Sequence, residues 1–430
     1  MKRLRFIVLG IFLLSILFSY RVFGATTITF WALNQGDMTS QTKMLDELTA
    51  DFKNKTGIEV KYEIVNWSQA FNKYMLISGG GPGPDCADMY WAYTFSTMGQ
   101  GKYGPMDISS ELKRYGGRKG LERRWYAPSL QDVFFGDKWY GFPWRIDIRI
   151  TAYRADWMKE IGMSRAPNTW NELVLFGQKL TKRDPSGKVI RWGVGIDGKS
   201  PQTFYSWLWQ AGGEFLTPDN KKSAINSPAG KDALQFLVDL IHKYKICPPD
   251  CIDPGFNLTA AFKAGLIGIL PSGVGAGFKR EIERTAPQLL GKVAGAIPLK
   301  NKKRITFQGA GYFGLLYGVK DKEAALKWLE YLTQDDVQIR YSKVSETLSP
   351  LKNVNKDPYF AEDWWYKACI ASLPYGRTSQ HQTPAWTQIT NPEPTGIIYD
   401  MLQDALSGRK SVEEALATAE KRMNEVLSKY

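Results

Sequence analysis

The sequence predicts an α/β protein of two domains built on parallel sheet, and three observations carry this. Residues 28–64 read strand, helix, strand, an order that calls for parallel strands with helices packed on their faces. The same alternation of patterns recurs later in the chain. About 405 residues follow an apolar leader-like segment, more than one hydrophobic core accommodates.

Each element follows from its pattern. Ile28 and Phe30 alternate with threonines, which marks a strand. Met44, Leu45, Leu48 and Phe52 then repeat at helical spacing, and Gly57 is placed to end that helix. Ile58, Val60, Tyr62 and Ile64 alternate as a second strand. The run Ser78-Gly79-Gly80-Gly81-Pro82-Gly83-Pro84-Asp85 is a tight loop by composition. It leads into a short strand around Ala87 to Trp91. Trp139 to Tyr153 is rich in strand formers. Thr169 to Leu180 reads as a helix capped by Asn168 or Thr169, and Ser227 to Tyr244 as another, with Leu234, Leu237, Val238 and Ile241 on one face. Ala324 to Leu332 is helical. Ser411 and Glu414 have capping-box spacing, and Ala415, Leu416, Ala419, Met423 and Val426 follow as an apolar stripe. There is no internal repeat and no long Gly/Ser linker, so the domains are joined by short backbone crossings.

The first 24 residues read as a signal peptide. Lys2, Arg3 and Arg5 precede an apolar stretch from Phe6 to Phe18, and Val22 and Gly24 provide small-residue spacing for a cut before Ala25. The apolar run is shorter than a spanning helix requires. The formal charge of +13 includes Lys2, Arg3, Arg5 and Arg21, leaving +9 on the remainder. The positive charges are scattered among acidic ones, which suits a solvated surface and argues against nucleic acid as a partner. An exported chain meets oxidising conditions, so the four cysteines invite pairing. Three connectivities exist for four cysteines. The Pro248-Pro249 turn favours Cys247 with Cys251, which leaves Cys86 with Cys369. The sequence offers no metal ligand set of familiar spacing.

Catalytic motifs are lacking. The chain has two histidines, His242 and His381, no Gly-x-Ser-x-Gly elbow and no His-Glu-x-x-His zinc motif. The glycine loop at 79–83 lacks the Gly-Lys-Ser/Thr ending of a phosphate cradle. No cofactor is expected. The positive signal is aromatic: 15 tryptophans, several at strand ends or in loops, namely Trp67, Trp91, Trp144, Trp207, Trp209, Trp364, Trp365 and Trp386. Sugars need flat apolar platforms for their C–H faces and polar groups for their hydroxyls. Trp328, on a helical stripe, reads instead as core. Asp147 and Arg149 lie two apart and share one face of a strand. They suit sugar hydroxyls through a carboxylate acceptor and a guanidinium fork, or form an ion pair with each other.

Taken in order, Ile28-Thr29-Phe30-Trp31, Phe52 to Val60, Gly83-Pro84-Asp85, Gly141-Phe142-Pro143, Pro167 to Leu173, Gly212-Gly213 and Gly408 to Leu416 resemble the extracellular solute-binding proteins of sugar-importing ABC transporters, the family of maltose-binding protein. The resemblance spans the whole chain beyond the leader. It implies a two-lobed periplasmic-binding-protein fold of the class II kind, with a ligand cleft between lobes joined by several hinge crossings. Lobe 1 would comprise residues 25–145 and 305–348, and lobe 2 residues 149–300 and 350–430. The implied activity is non-enzymatic: binding a mono- or oligosaccharide and delivering it, by domain closure, to membrane permease subunits. The protein would be a monomer in the periplasm or at the outer face of the cell membrane. Position in the family pattern points to Asn34, Asp37, Trp67, Trp91, Tyr93, Asp147, Gly273, Tyr312, Phe313, Arg377 and Trp386 as ligand-binding residues, and Arg149 and Trp207 join them from the strand-face and aromatic readings above. Where the family often carries a tryptophan, this chain has Val274 and Gly275, which argues against a maltose-like stacking arrangement. A polyol or acidic sugar is the alternative cargo, with Arg145 and Arg149 near the cleft, and a secreted glycoside hydrolase the remote alternative.

Overall fold

The structure, a computed structural model, describes residues 26–90, 92–379, 381, 383–390 and 396–430. The leader and Trp91 lie outside the described residues. The strands, in chain order, are β1 (Thr27–Leu33), β2 (Glu59–Val65), β3 (Cys86–Met89), β4 (Phe134–Phe135), β5 (Lys138–Trp139), β6 (Phe142–Ile148) and β7 (Ile150–Arg154). They continue as β8 (Lys182–Arg183), β9 (Val189–Val194), β10 (Ile267–Val274), β11 (Val293–Ala296), β12 (Thr306–Leu315) and β13 (Gly376–Arg377).

Two mixed sheets form two lobes. The first runs β13-β12-β3-β1-β2, with β6 also paired to β12; the second runs β11-β7-β10-β9-β8. β1 pairs in parallel with β2, Thr27 opposite Glu59 through Leu33 opposite Val65. The helix between them spans Met38–Thr56 and buries Met44, Leu45, Leu48 and Phe52. It ends at Gly57, whose φ of 73° lets its N–H reach back to the Lys53 carbonyl, a left-handed position that glycine adopts without strain. The loop after the next helix delivers Asp85 to Thr29: its carboxylate accepts from the Thr29 N–H (2.7 Å), the Thr29 hydroxyl (2.8 Å) and the Lys320 N–H (2.9 Å). The Gly-Pro-Asp run therefore ties the first sheet to the turn after β12.

The strand-rich stretch 139–153 is divided at Arg149. β6 lies in the first sheet and β7 in the second, so the chain changes lobes there. It returns between β11 and β12, and passes over again between helix Asp335–Ser345, packed on the first lobe, and helix Trp364–Ser372, packed on β11. In the second lobe, helix Trp170–Leu180 is capped by the Thr169 hydroxyl, and helix Pro228–His242 by Ser227. Helices Ile397–Leu406 and Val412–Leu427 pack against the latter. The capping box holds, with Ser411 and Glu414 each accepting from the other's backbone N–H. No helix among the described residues is long and apolar enough to cross a membrane.

Candidate functional site

A cavity of about 910 Å³ lies between the lobes, within the size range of small-molecule sites. From the first lobe it is lined by Gln35, by Trp67, Ser68, Phe71 and Asn72 of helix Trp67–Ser78, and by Tyr90 after β3. Arg145 to Asp147 of β6 and Gln308 to Ala310 of β12 form its floor. The second lobe contributes Ser200, Gln202 and Tyr205, the pair Ala276-Gly277, and Thr378, Ser379 and Gln388. Glu346 and Thr347, where the chain leaves helix Asp335–Ser345, close one side.

Trp67 opens its helix directly after β2, in place of the loop expected there. Its indole N–H donates to the Asn34 carbonyl at 2.8 Å, which fixes the ring while 43% of the residue stays exposed. The Arg145 guanidinium sits 4.9 Å from the Trp67 ring centre and Tyr90 packs at 5.3 Å. Trp67 thus presents a held aromatic surface to the cavity, the platform that the faces of a sugar ring need.

Arg145 itself is only 7% exposed. Gly311 stands opposite it on β12, and a Cβ there would fall 2.4 Å from Nε, so the absent side chain is what lets the guanidinium lie against the strand. Asp147, two residues on, turns one oxygen to Arg149 at 2.8 Å, and Arg149 also donates to Gln202 across the lobes at 3.3 Å. A Cβ at Gly275 would meet the other Asp147 oxygen at 2.5 Å, so Val274-Gly275 gives room to the carboxylate where a tryptophan would exclude it. Gln308, almost wholly buried on the floor, has both amide atoms without a partner among the described residues.

Two further carboxylates lie behind the floor. Asp88 accepts from the Trp144 indole at 2.7 Å, and Asp132 from the Thr378 hydroxyl. Burial pushes each up to about 7, against the pull of the Arg145 charge. At the cleft mouth, Glu346 approaches Arg284 of the second lobe at 4.0 Å. Burial raises Glu346 above the usual carboxylate range, and Arg284 and Arg280 oppose that. A smaller charged cavity, lined by Asp37, Arg280, Arg284, Lys343 and Glu346, adjoins it.

Of the residues expected to bind ligand, Trp67 and Asp147 line the cavity. Asn34 and Arg149 stand directly behind them as supports. Among the others, those that the structure describes stand elsewhere. Asp37 caps helix Met38–Thr56 by accepting from the Ser40 N–H. Tyr312 and Phe313 are buried in the first lobe, Phe313 stacked on Trp144 at 5.1 Å. On β12 their side chains pack into the sheet's own core while Gln308 to Ala310 reach the cleft. Trp207 lies mid-helix against Trp170 at 5.3 Å, and Trp386 packs on His381 at 4.3 Å, both inside the second lobe. Arg377 is paired to Glu214 at 2.9 Å and covers Trp209, leaving its neighbours Thr378 and Ser379 to line the cavity. Gly273 lies outside the lining, which the strand end reaches only at Ala276 and Gly277. Trp91 is outside the described residues, and so is the side chain of Tyr93.

The four cysteines are buried free thiols. Cys86 lies on β3 of the first sheet and Cys369 on a helix packed against β11 of the second, so the long-range pair is not formed. Cys247 and Cys251 form no bridge; the Cys247 thiol donates to the Pro248 carbonyl at 3.8 Å, and burial raises it well above its ordinary value. The residues the sequence did not single out, among them Gln35, Asn72, Tyr90, Gln202, Gln308 and Glu346, are single polar or aromatic positions scattered over separate elements. No motif marks them.

Two lobes on separate sheets, repeated crossings and a cavity between them lined by aromatic and polar side chains define the periplasmic-binding-protein class. The chain belongs to the bacterial extracellular solute-binding protein family, which it matches over residues 35–339. It is the solute-binding component of an ABC transporter, with permease subunits as partners and a small solute as cargo, and not an enzyme. A solute-binding protein of Thermotoga lettingae, solved with α-D-tagatose, is similar over 94% of this chain and 100% of its own, at 25% identity and a TM-score of 0.74. The sugar-binding protein MalE of Xanthomonas citri shares the fold at a TM-score of 0.81 and 20% identity, over 94% of this chain and 98% of its own. A binding protein of Brucella abortus is 24% identical over 380 residues, 87% of each chain.

Proposed function

We propose that the solute is a sugar, bound between the lobes and handed to the permease once the lobes have closed on it. The observation that carries this is the pairing, in one cavity, of an exposed indole face on Trp67 with the unpartnered buried amide of Gln308. An apolar plate beside open donors and acceptors matches a molecule whose rings carry C–H faces and whose edges carry hydroxyls. The hydroxyls and amides of Ser200, Gln202, Thr378 and Gln388 surround it. In this reading 25–145 with 305–348, and 149–300 with 350–430, move as the two lobes. Sugar touching both favours the closed form by its differential affinity. The protein acts as a monomer in the periplasm or at the outer cell face.

The test is a thermal-unfolding shift of the purified protein against mono-, di- and oligosaccharides, polyols and acidic sugars. A ligand confined to the folded state stabilises by RT ln(1 + [L]/Kd), about 4 kcal/mol at a thousandfold excess. One sugar class should raise the midpoint. Asp147→Ala should then weaken that ligand by about 1.5–3 kcal/mol, read by calorimetry, since a charge-assisted bond is lost. Silence across the whole panel would remove the sugar reading.

A further inference from the structure

The charges around the cleft do not balance, and the imbalance centres on Arg145. Its guanidinium is buried in the cavity wall, yet it donates no hydrogen bond and forms no ion pair with any described residue, and its Nε is wholly enclosed without an acceptor. Its close neighbours are the faces of Trp67 and Trp144, 4.9 and 5.7 Å from the guanidinium carbon.

The other charged groups of the lining have counterparts. Asp147 is answered by Arg149 at 2.8 Å, and Glu346 faces Arg284 at 4.0 Å. Asp88 and Asp132 lie within the field of Arg145 but outside ion-pair distance. Each is already held through one oxygen, by Trp144 and Thr378 respectively, and burial favours their protonated forms. Neither is a full counter-charge.

A buried cation without a partner is costly. A guanidinium presents a planar fork of donors that a carboxylate meets with two parallel bonds. A neutral hydroxyl accepts single bonds and leaves the charge standing. The rest of the lining, chiefly Gln, Ser, Thr and Asn, suits hydroxyl groups. Building on the sugar reading above, we infer that the natural solute is an acidic sugar, a uronate or aldonate, whose carboxylate is held by Arg145 while its ring or carbon chain lies along Trp67.

Isothermal titration of the full protein with D-galacturonate, D-glucuronate, D-gluconate and a galacturonate dimer, each beside its neutral counterpart, tests this. At least one acid should bind tenfold or more tighter than the matching neutral sugar. Arg145→Gln should weaken that acid about 100-fold and abolish the preference, since charge-assisted bidentate contacts are the strong ones. Should Arg145→Gln fail to fold, the comparison on the unaltered protein decides alone. Neutral sugars binding as tightly as their acids would overturn the inference and leave the sugar receptor standing. An acid preference that survives in folded Arg145→Gln would overturn the role of Arg145. No binding by acid or neutral sugars would overturn both readings.

Discussion

At the residue scale, the groups behind the cavity floor carry a pH signature. Asp88 and Asp132 are pushed up to about 7 by burial. Between the ordinary carboxylate range and pH 7 the folded chain therefore keeps protons that the unfolded chain releases. Their stabilising contribution is complete below about pH 4 and is lost as pH rises to about 7. His381 works the other way in the same window. Burial, aided by Arg377, lowers it to about 4, so its neutral form makes stability rise with pH up to its unfolded value. The difference between variants isolates one term. Asp88→Asn keeps an oxygen for the Trp144 indole and removes the titration. Relative to the unaltered protein, its stability should rise with pH between 4 and 7, by up to about 1.4 kcal/mol per pH unit for one proton. Urea unfolding midpoints across that range measure it; parallel curves for the two proteins would contradict the assignment.

At the element scale, close packing depends on missing side chains as much as on present ones. Helix Trp170–Leu180 lies on β9 where Gly177 meets Gly193, and a Cβ at Gly193 would fall 2.0 Å from the Gly177 carbonyl oxygen. Gly193→Ala forces helix and strand apart, and should cost about 1–3 kcal/mol by denaturant titration, while an unchanged midpoint would show that the contact yields. Elements of this kind were largely legible, because periodicity and caps are local. The Met38–Thr56 helix, its Gly57 stop and the Ser411 box all follow from neighbouring residues. The cavity was much less so. Trp67 and Asp147 could be found because they sit at the ends of readable strands. Trp207 and Trp386 could not be told from ligand platforms, since only tertiary packing decides which side of an element an aromatic faces. Gln308 gave no signal at all: its position on the floor is set by the pairing of β12 with β6 and by Gly376, whose Cβ would collide with its amide oxygen at 2.2 Å.

At the scale of the whole molecule, each lobe is a sheet with helices, and side-chain ties join the two across the cleft. Arg149 bonds Asp147 on one side and Gln202 on the other, and Glu346 meets Arg284 across the mouth. The first lobe, however, is discontinuous in sequence. β12 joins β6 and β13 to β3, and Tyr312 pairs with Met89, more than two hundred residues away. The second sheet is drawn entirely from 150–296 apart from its helical cover. Long-range pairing must meet its loop-closure entropy before it is rewarded. In refolding, amides of β7, β9 and β10 should therefore gain protection from hydrogen exchange before those of β3 and β6, as pulse labelling would record. Simultaneous protection in both sheets would refute that order. The chain's route through the fold thus acts as a timer: half of the binding surface can exist early, but no cleft can form until the strand bearing Gln308 has found its place.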